Sequence, residues 1–239
     1  MLFDQAEYDL RCEWGLQGLR HLSPISDAVI VVDILSFSTA VDIVVARGAF
    51  VLPYRWKDDS AARFAAEKHA HVASSRRSQV AYSLSPASVR AIPAGTALVL
   101  PSPNGSNLCL SVNHVPTFTA CFRNAPAVAA YVARSAVRVA VIPAGEHWDD
   151  GTLRPCLEDW IGAGAVLSLL TGRRSPEAEL AVVAFESFRG DLAGALSRCG
   201  SGKELVEGGF RCDVELASEY GVSSAVPMLM GDKFVNCAS

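Results

Sequence analysis

The segment "AVIVVDILSFSTAVDIVVARGA", residues 28–49, decides the fold. Its first five residues are apolar without alternation, so a strand built from them must be covered on both faces. Asp33 closes the run. The following "STAVDIVVARGA" (38–49) reads as a helix, with Ser38 or Thr39 as its cap and Gly48 at its end. "FVLPYRW" (50–56) then returns as a second strand. A buried strand that feeds a helix and then another strand begins a βαβ series. Asp33 therefore stands at the carboxyl end of a central strand. It has two readings there: a cap for the helix that follows, or a group that faces a ligand.

The pattern continues outward. "SAARFAAEKHA" (60–70) reads as a helix behind Asp58 or Asp59, and residues 71–95, rich in Ser, Arg and Pro, as a long surface excursion. "GTALVLPSPNG" (95–105) gives a strand and a turn, "SNLCLSV" a helix start, "TFTACF" a strand and "NAPAVAAYVARS" a helix behind Asn124. "VRVAVIPAGE" (137–146) is another strand. Residues 156–170 and 175–196 read as helices, the second capped by Ser175 with Pro176 in its first turn. Short helices and a closing strand pair at 225–236 complete the chain. The expected architecture is one α/β domain over residues 1–239, a three-layer α/β/α arrangement with a mostly parallel or mixed central sheet.

Composition excludes several classes. The net charge is −4, and the longest basic runs are the pairs Arg76-Arg77 and Arg173-Arg174, so no nucleic-acid surface is expected. No apolar stretch reaches the ~18 residues that span a bilayer, and the first residues carry acids in place of an apolar leader. A cytoplasmic protein follows as the expectation, and a homodimer is compatible with it. The seven cysteines show no C-x-x-C spacing, which argues for reduced, buried thiols rather than a zinc site. The phosphate-loop, dinucleotide and nucleophile-elbow signatures are all absent.

What recurs is a strand end followed by small or polar residues. Asp33 is followed by Ser36, Ser38 and Thr39; Ser102 by Asn104, Gly105 and Ser106; Arg123 by Asn124; Gly145 by Glu146. In open α/β sheets ligands bind outside the carboxyl ends of the strands, where helix N-termini present free N–H groups to anions. The carboxylates Asp33, Glu146, Glu158 and Asp159 are hard oxygen ligands of the kind Mg²⁺ takes. Glu158 and Asp159 also stand early in a helix, where acids complement the dipole, and neighbours on a helix point about 100° apart. "PNG" is a turn signal in its own right.

The ordered set "VVDILSFSTAV", "SLSP" (83–86), "SPNGS", "FRNAPAVA", "IPAGE", "EDWIGAGA" and "SGKELVEGGFRCDVELA…VP" resembles the 2-phosphosulfolactate phosphatase family. The resemblance implies Mg²⁺-dependent hydrolysis of a phosphate monoester on a small acidic organic molecule; in that family the product is sulfolactate, on a route to coenzyme M. It further implies catalytic or metal roles for Asp33, Glu146 and Asp159, with Glu158 beside them. It implies substrate contacts for Ser38, Thr39, Asn104, Gly105, Ser106 and Asn124. Two departures stand out. Ser36 occupies the place of the family's usual arginine, and "SSRRSQVAY" (74–82) lacks the usual Gly-Glu pair. They motivate an alternative: a non-catalytic protein that binds phosphate or a phosphoacid.

Overall fold

A computed structural model describes residues 4–56, 58–74, 82–112 and 114–238. Eleven strands and ten α-helices are assigned among them. The strands are β1 (Leu10–Cys12), β2 (Ala28–Val32), β3 (Phe50–Tyr54), β4 (His71–Val72), β5 (Ala97–Pro101), β6 (Thr117–Ala120), β7 (Val139–Pro143), β8 (Glu146–His147), β9 (Leu153–Arg154), β10 (Pro227–Met230) and β11 (Lys233–Asn236). The helices are α1 (Gly15–Leu22), α2 (Phe37–Ala46), α3 (Ser60–Glu67), α4 (Gly105–Cys109), α5 (Ala125–Val132), α6 (Leu157–Leu167), α7 (Pro176–Phe188), α8 (Leu192–Arg198), α9 (Gly200–Glu207) and α10 (Arg211–Ser218).

Nine strands form one mixed sheet in the order β1-β7-β2-β6-β10-β11-β3-β5-β4, with helices on both faces. β2 is central and wholly buried, flanked in parallel by β6 and β7, with Ile30 opposite Phe118 and Val141. Its pleat divides the core. Ile30 and Val32 face a layer that holds α5, α6 and α7, while Val29 and Val31 face α1, α2 and α4. This two-sided burial is why the strand carries no polar alternation. The C-terminal hairpin β10-β11 joins the parallel block around β2 to the parallel block of β3, β5 and β4, through antiparallel pairings to β6 and β3. α2 packs against β3, β6, β10 and β11, and all its residues but Ala46 are buried. These four strands are neighbours in the sheet, and α2 also meets α4, so it is covered on several sides and apolar on nearly all of them.

Several boundaries differ from the sequence reading. α2 begins at Phe37 behind Ser36, so neither Ser38 nor Thr39 is its cap. The Ser38 hydroxyl instead accepts from Asp33 N (2.9 Å), reaching back along the turn. The helix expected over 175–196 breaks at Arg189–Asp191, where Asp191 accepts from Gly194 N (2.9 Å) and starts α8. Ser175 does cap α7, accepting from Ala178 N (3.1 Å) with Pro176 in the first turn.

The 71–95 excursion contains the edge strand β4, and part of it is anchored inside the protein. Buried Asp213 of α10 accepts from the Ser85 hydroxyl (2.6 Å) and Ala87 N (3.0 Å). Two stretches far apart in sequence, "SLSP" and "FRCDVELA", are thus tied to each other. All seven cysteines are free, and five are buried. Among the described residues no helix is long and apolar enough to cross a membrane.

Candidate active site

The strand ends converge on a cleft of about 860 Å³, within the usual range for a small-molecule site. Asp33, directly after β2, is 6 % exposed at its floor. Its two oxygens accept from Phe37 N (3.2 Å) at the start of α2 and from Gly105 N (3.0 Å) at the start of α4. The two backbone donors clamp the carboxylate between the starts of α2 and α4 and fix its orientation.

Asn104, in the β5–α4 turn, donates from Nδ2 to Glu146 Oε2 (2.7 Å). Its Oδ1 is buried and has no hydrogen-bond partner. Glu146 opens the small β8-β9 hairpin, in which it lies opposite Arg154. Gly145 makes the hairpin's approach feasible. It has φ +67°, and a Cβ there would meet Leu153 Cδ1 at 2.8 Å and Arg154 O at 2.9 Å.

Asp159 sits behind this wall. It accepts from Ile34 N (2.8 Å) and Gly145 N (2.9 Å), so one carboxylate holds the turns after β2 and β7 in register. Burial, and then the charges of Asp33 and Glu158, push its carboxyl well above the ordinary range; the two backbone donors pull the other way. A raised folded-state pKa means that the native protein keeps a proton which the unfolded chain releases from about pH 4 upward. Stability should therefore fall as pH rises through that window. Asp42, also raised by burial against the pull of Ser223 and Arg123, adds a slope of the same sign. Asp27, lowered to about 2 mainly by its bond to Arg138, acts only in strong acid. In urea melts with a chelator, the midpoint is expected to drop between pH 5 and pH 8, and excess Mg²⁺ to reduce the drop. A flat profile would show that Asp159 does not carry its proton into this range.

The sequence-predicted residues thus separate into two groups. Asp33, Asn104 and Glu146 line the cleft, together with Ser36 and Ser102. Ser38, Thr39, Ser106 and Asn124 lie beneath it, with side-chain oxygens engaged internally. Ser38 Oγ meets Thr119 Oγ1 (2.5 Å), Thr39 donates to Ile34 O (2.8 Å), Ser106 to Leu100 O (2.9 Å), and Asn124 Oδ1 accepts from Cys121 N (2.8 Å). The Gly105 N–H is given to Asp33. Glu158 lies beside the Cys199 thiol, which burial and then the Glu158 charge raise to about 12.

Among the described residues no three His, Cys, Asp or Glu side chains converge as a ready metal cage. Arg76 and Arg77 lie outside the described residues.

Sequence reading missed Arg154, which also lines the cleft. Its ring partner is Trp148, 5.7 Å from the guanidinium carbon. The signal was present in "EHWDDGTLR": Asp150-Gly151 is a hairpin turn signal, and closing it sets Arg154 across from Glu146.

A family model described as 2-phosphosulpholactate phosphatase matches residues 17–232. Among curated proteins, one from Gloeobacter violaceus named probable 2-phosphosulfolactate phosphatase is 30% identical over 135 residues, 56% of each chain. One of the same name from Pseudothermotoga lettingae is 27% identical over 142 residues, 59% of this chain and 61% of that one. Another, from Symbiobacterium thermophilum, is 34% identical over 116 residues, 46% and 48% of the two chains. The chain spans less than two thirds of the length of each of these relatives.

Proposed function

The chain belongs to the 2-phosphosulfolactate phosphatase family, and from that we propose that it hydrolyses a phosphate monoester of a small organic acid with the help of Mg²⁺. The observation that carries this reading is the wall formed by Asp33, Asn104 and Glu146, drawn from the ends of β2, β5 and β7. Its side-chain acceptors are oxygens, and Asn104 Oδ1 is a buried acceptor with no hydrogen-bond partner.

Charge gives the second argument. Among the described residues that line the cleft, the carboxylates Asp33, Glu146, Asp149 and Glu204 stand against Arg154, a lining of excess negative charge toward a phosphate dianion. A divalent cation reverses that balance. Mg²⁺ takes one or two carboxylates and keeps several waters, so Asp33, Glu146 and Asn104 Oδ1 are a sufficient donor set without a three-acid cage. When bound, the cation supplies neutralising charge for the phosphoryl oxygens.

The protein's own groups do the rest. Asp33 is immobilised by two backbone donors, so its orientation is fixed before a ligand arrives. Asn104 holds Glu146 against the same wall. Leu35, Leu84 and Leu205 give the cleft apolar surface that excludes water around the ester.

The test is phosphate release from small acidic phosphomonoesters, measured with Mg²⁺ and again after chelation. Release that falls at least about 100-fold on chelation is expected. No release from any ester under either condition removes the enzyme reading. Ser36, which lines the cleft where the family usually has an arginine, favours one alternative: a protein that binds the phosphoacid without turning it over. Calorimetric binding with no phosphate released identifies that case.

A further inference from the structure

Glu146 and Arg154 face each other across the β8-β9 hairpin, where opposite charges ordinarily pair. Here they turn apart. Glu146 bonds to Asn104 on the strand-end wall, and Arg154 Nη2 makes one long bond, 3.4 Å, to Ser201 Oγ of α9 on the opposite wall. Arg154 Nη1 lies 3.4 Å from where a side chain on Gly200 would begin, so the guanidinium rests against the first turn of α9. The Trp148 ring lies 5.7 Å from its guanidinium carbon, within cation–π reach. No carboxylate among the described residues is in ion-pair distance of it, although Arg123, Arg138, Arg173, Arg189 and Arg198 each have one. A guanidinium has five donors, and here one is weakly engaged. The rest of a bidentate, anion-shaped fork lines the cleft.

We propose that Arg154 recognises the acid group of the substrate that is not the phosphate, a carboxylate or sulfonate, and so selects phosphorylated acids over phosphate esters with uncharged tails. This assignment rests on the phosphatase reading. The cleft then has two ends. Asp33, Asn104 and Glu146 take the phosphoryl end, and Arg154 with the Ser201 hydroxyl takes the second anion. Arg154 belongs to the second end because its side chain is tied to α9 and not to the Asp33 wall.

The experiment is calorimetric titration of wild type, Arg154→Gln and Arg154→Lys in Mg²⁺ buffer, with sulfolactate as one probe and inorganic phosphate as the other. Arg154→Gln is expected to weaken sulfolactate binding about 10- to 100-fold, the usual effect of losing charge-assisted hydrogen bonds. Phosphate binding should stay within about twofold. Arg154→Lys keeps the charge without the fork and should recover part of the loss. An equal loss for both probes would assign Arg154 to the phosphoryl group and overturn the proposal, as would no loss for either. Failure of the phosphatase reading has a different signature: the wild type binds both probes, yet releases phosphate from no ester.

Discussion

Gly105→Ala is expected to reduce turnover by about 100-fold and to lower the melting temperature by about 4–10 °C. A Cβ at this position would lie inside the van der Waals surface of the Phe37 ring, 2.6 Å from Cγ, and 2.8 Å from Asp33 Oδ2. Neither neighbour can yield easily. Phe37 is fully buried and packs edge-on against Phe234, and Asp33 is clamped by two backbone donors. Overpacking of this kind costs about 1–3 kcal/mol, and moving a positioned group by ~1 Å is enough for the kinetic loss. Differential scanning calorimetry and phosphate release check the two halves separately. Unchanged melting and turnover would mean that the α2 and α4 starts part without disturbing Asp33.

Asp33→Asn should lower kcat by about 10²- to 10³-fold, the range for removal of one preorganised electrostatic group. The substitution keeps the shape and replaces one acceptor oxygen with a donor. That donor must face either Phe37 N or Gly105 N, which now lacks an acceptor. A buried donor left unpaired costs about 1–3 kcal/mol, so some loss of stability accompanies the kinetic effect. The two are separable: excess Mg²⁺ should stabilise the wild type against heat and Asp33→Asn much less. A variant with wild-type rates would take Asp33 out of the site and leave it as the clamp between α2 and α4.

Much of the fold was legible because it follows from local pattern. "AVIVV" has apolar residues on both sides of the pleat, and only a doubly covered strand accommodates that. Ser175-Pro176 announces α7 because the cap chemistry lies within four residues. β1 and β4 were not legible. Three and two residues long, they are strands only because β7 and β5 offer them partners. Arg11 in β1 would read as a surface residue. It is 1 % exposed, its guanidinium bonded to carbonyls that include Ile25 O (2.7 Å) and Tyr8 O (2.9 Å).

The site divides in the same way. The sequence by itself determined that acids and small polar residues follow β2, β5 and β7, since strand ends and turns are written in adjacent residues. It could not decide which of these groups face a ligand. Ser38, Thr39, Ser106 and Asn124 carry suitable atoms, and the packing turns them inward to hold the turns together. Asp33, Asn104 and Glu146 meet because α4 packs against β2 and α2 and brings the β5–α4 turn to the end of β2, a property of contacts between segments distant in sequence. Arg154 became visible only when the hairpin closed and Glu146 was drawn to Asn104, leaving the guanidinium beside α9. Which side chain shares a cleft with which depends on long-range pairing, and no window of neighbouring residues contains that information.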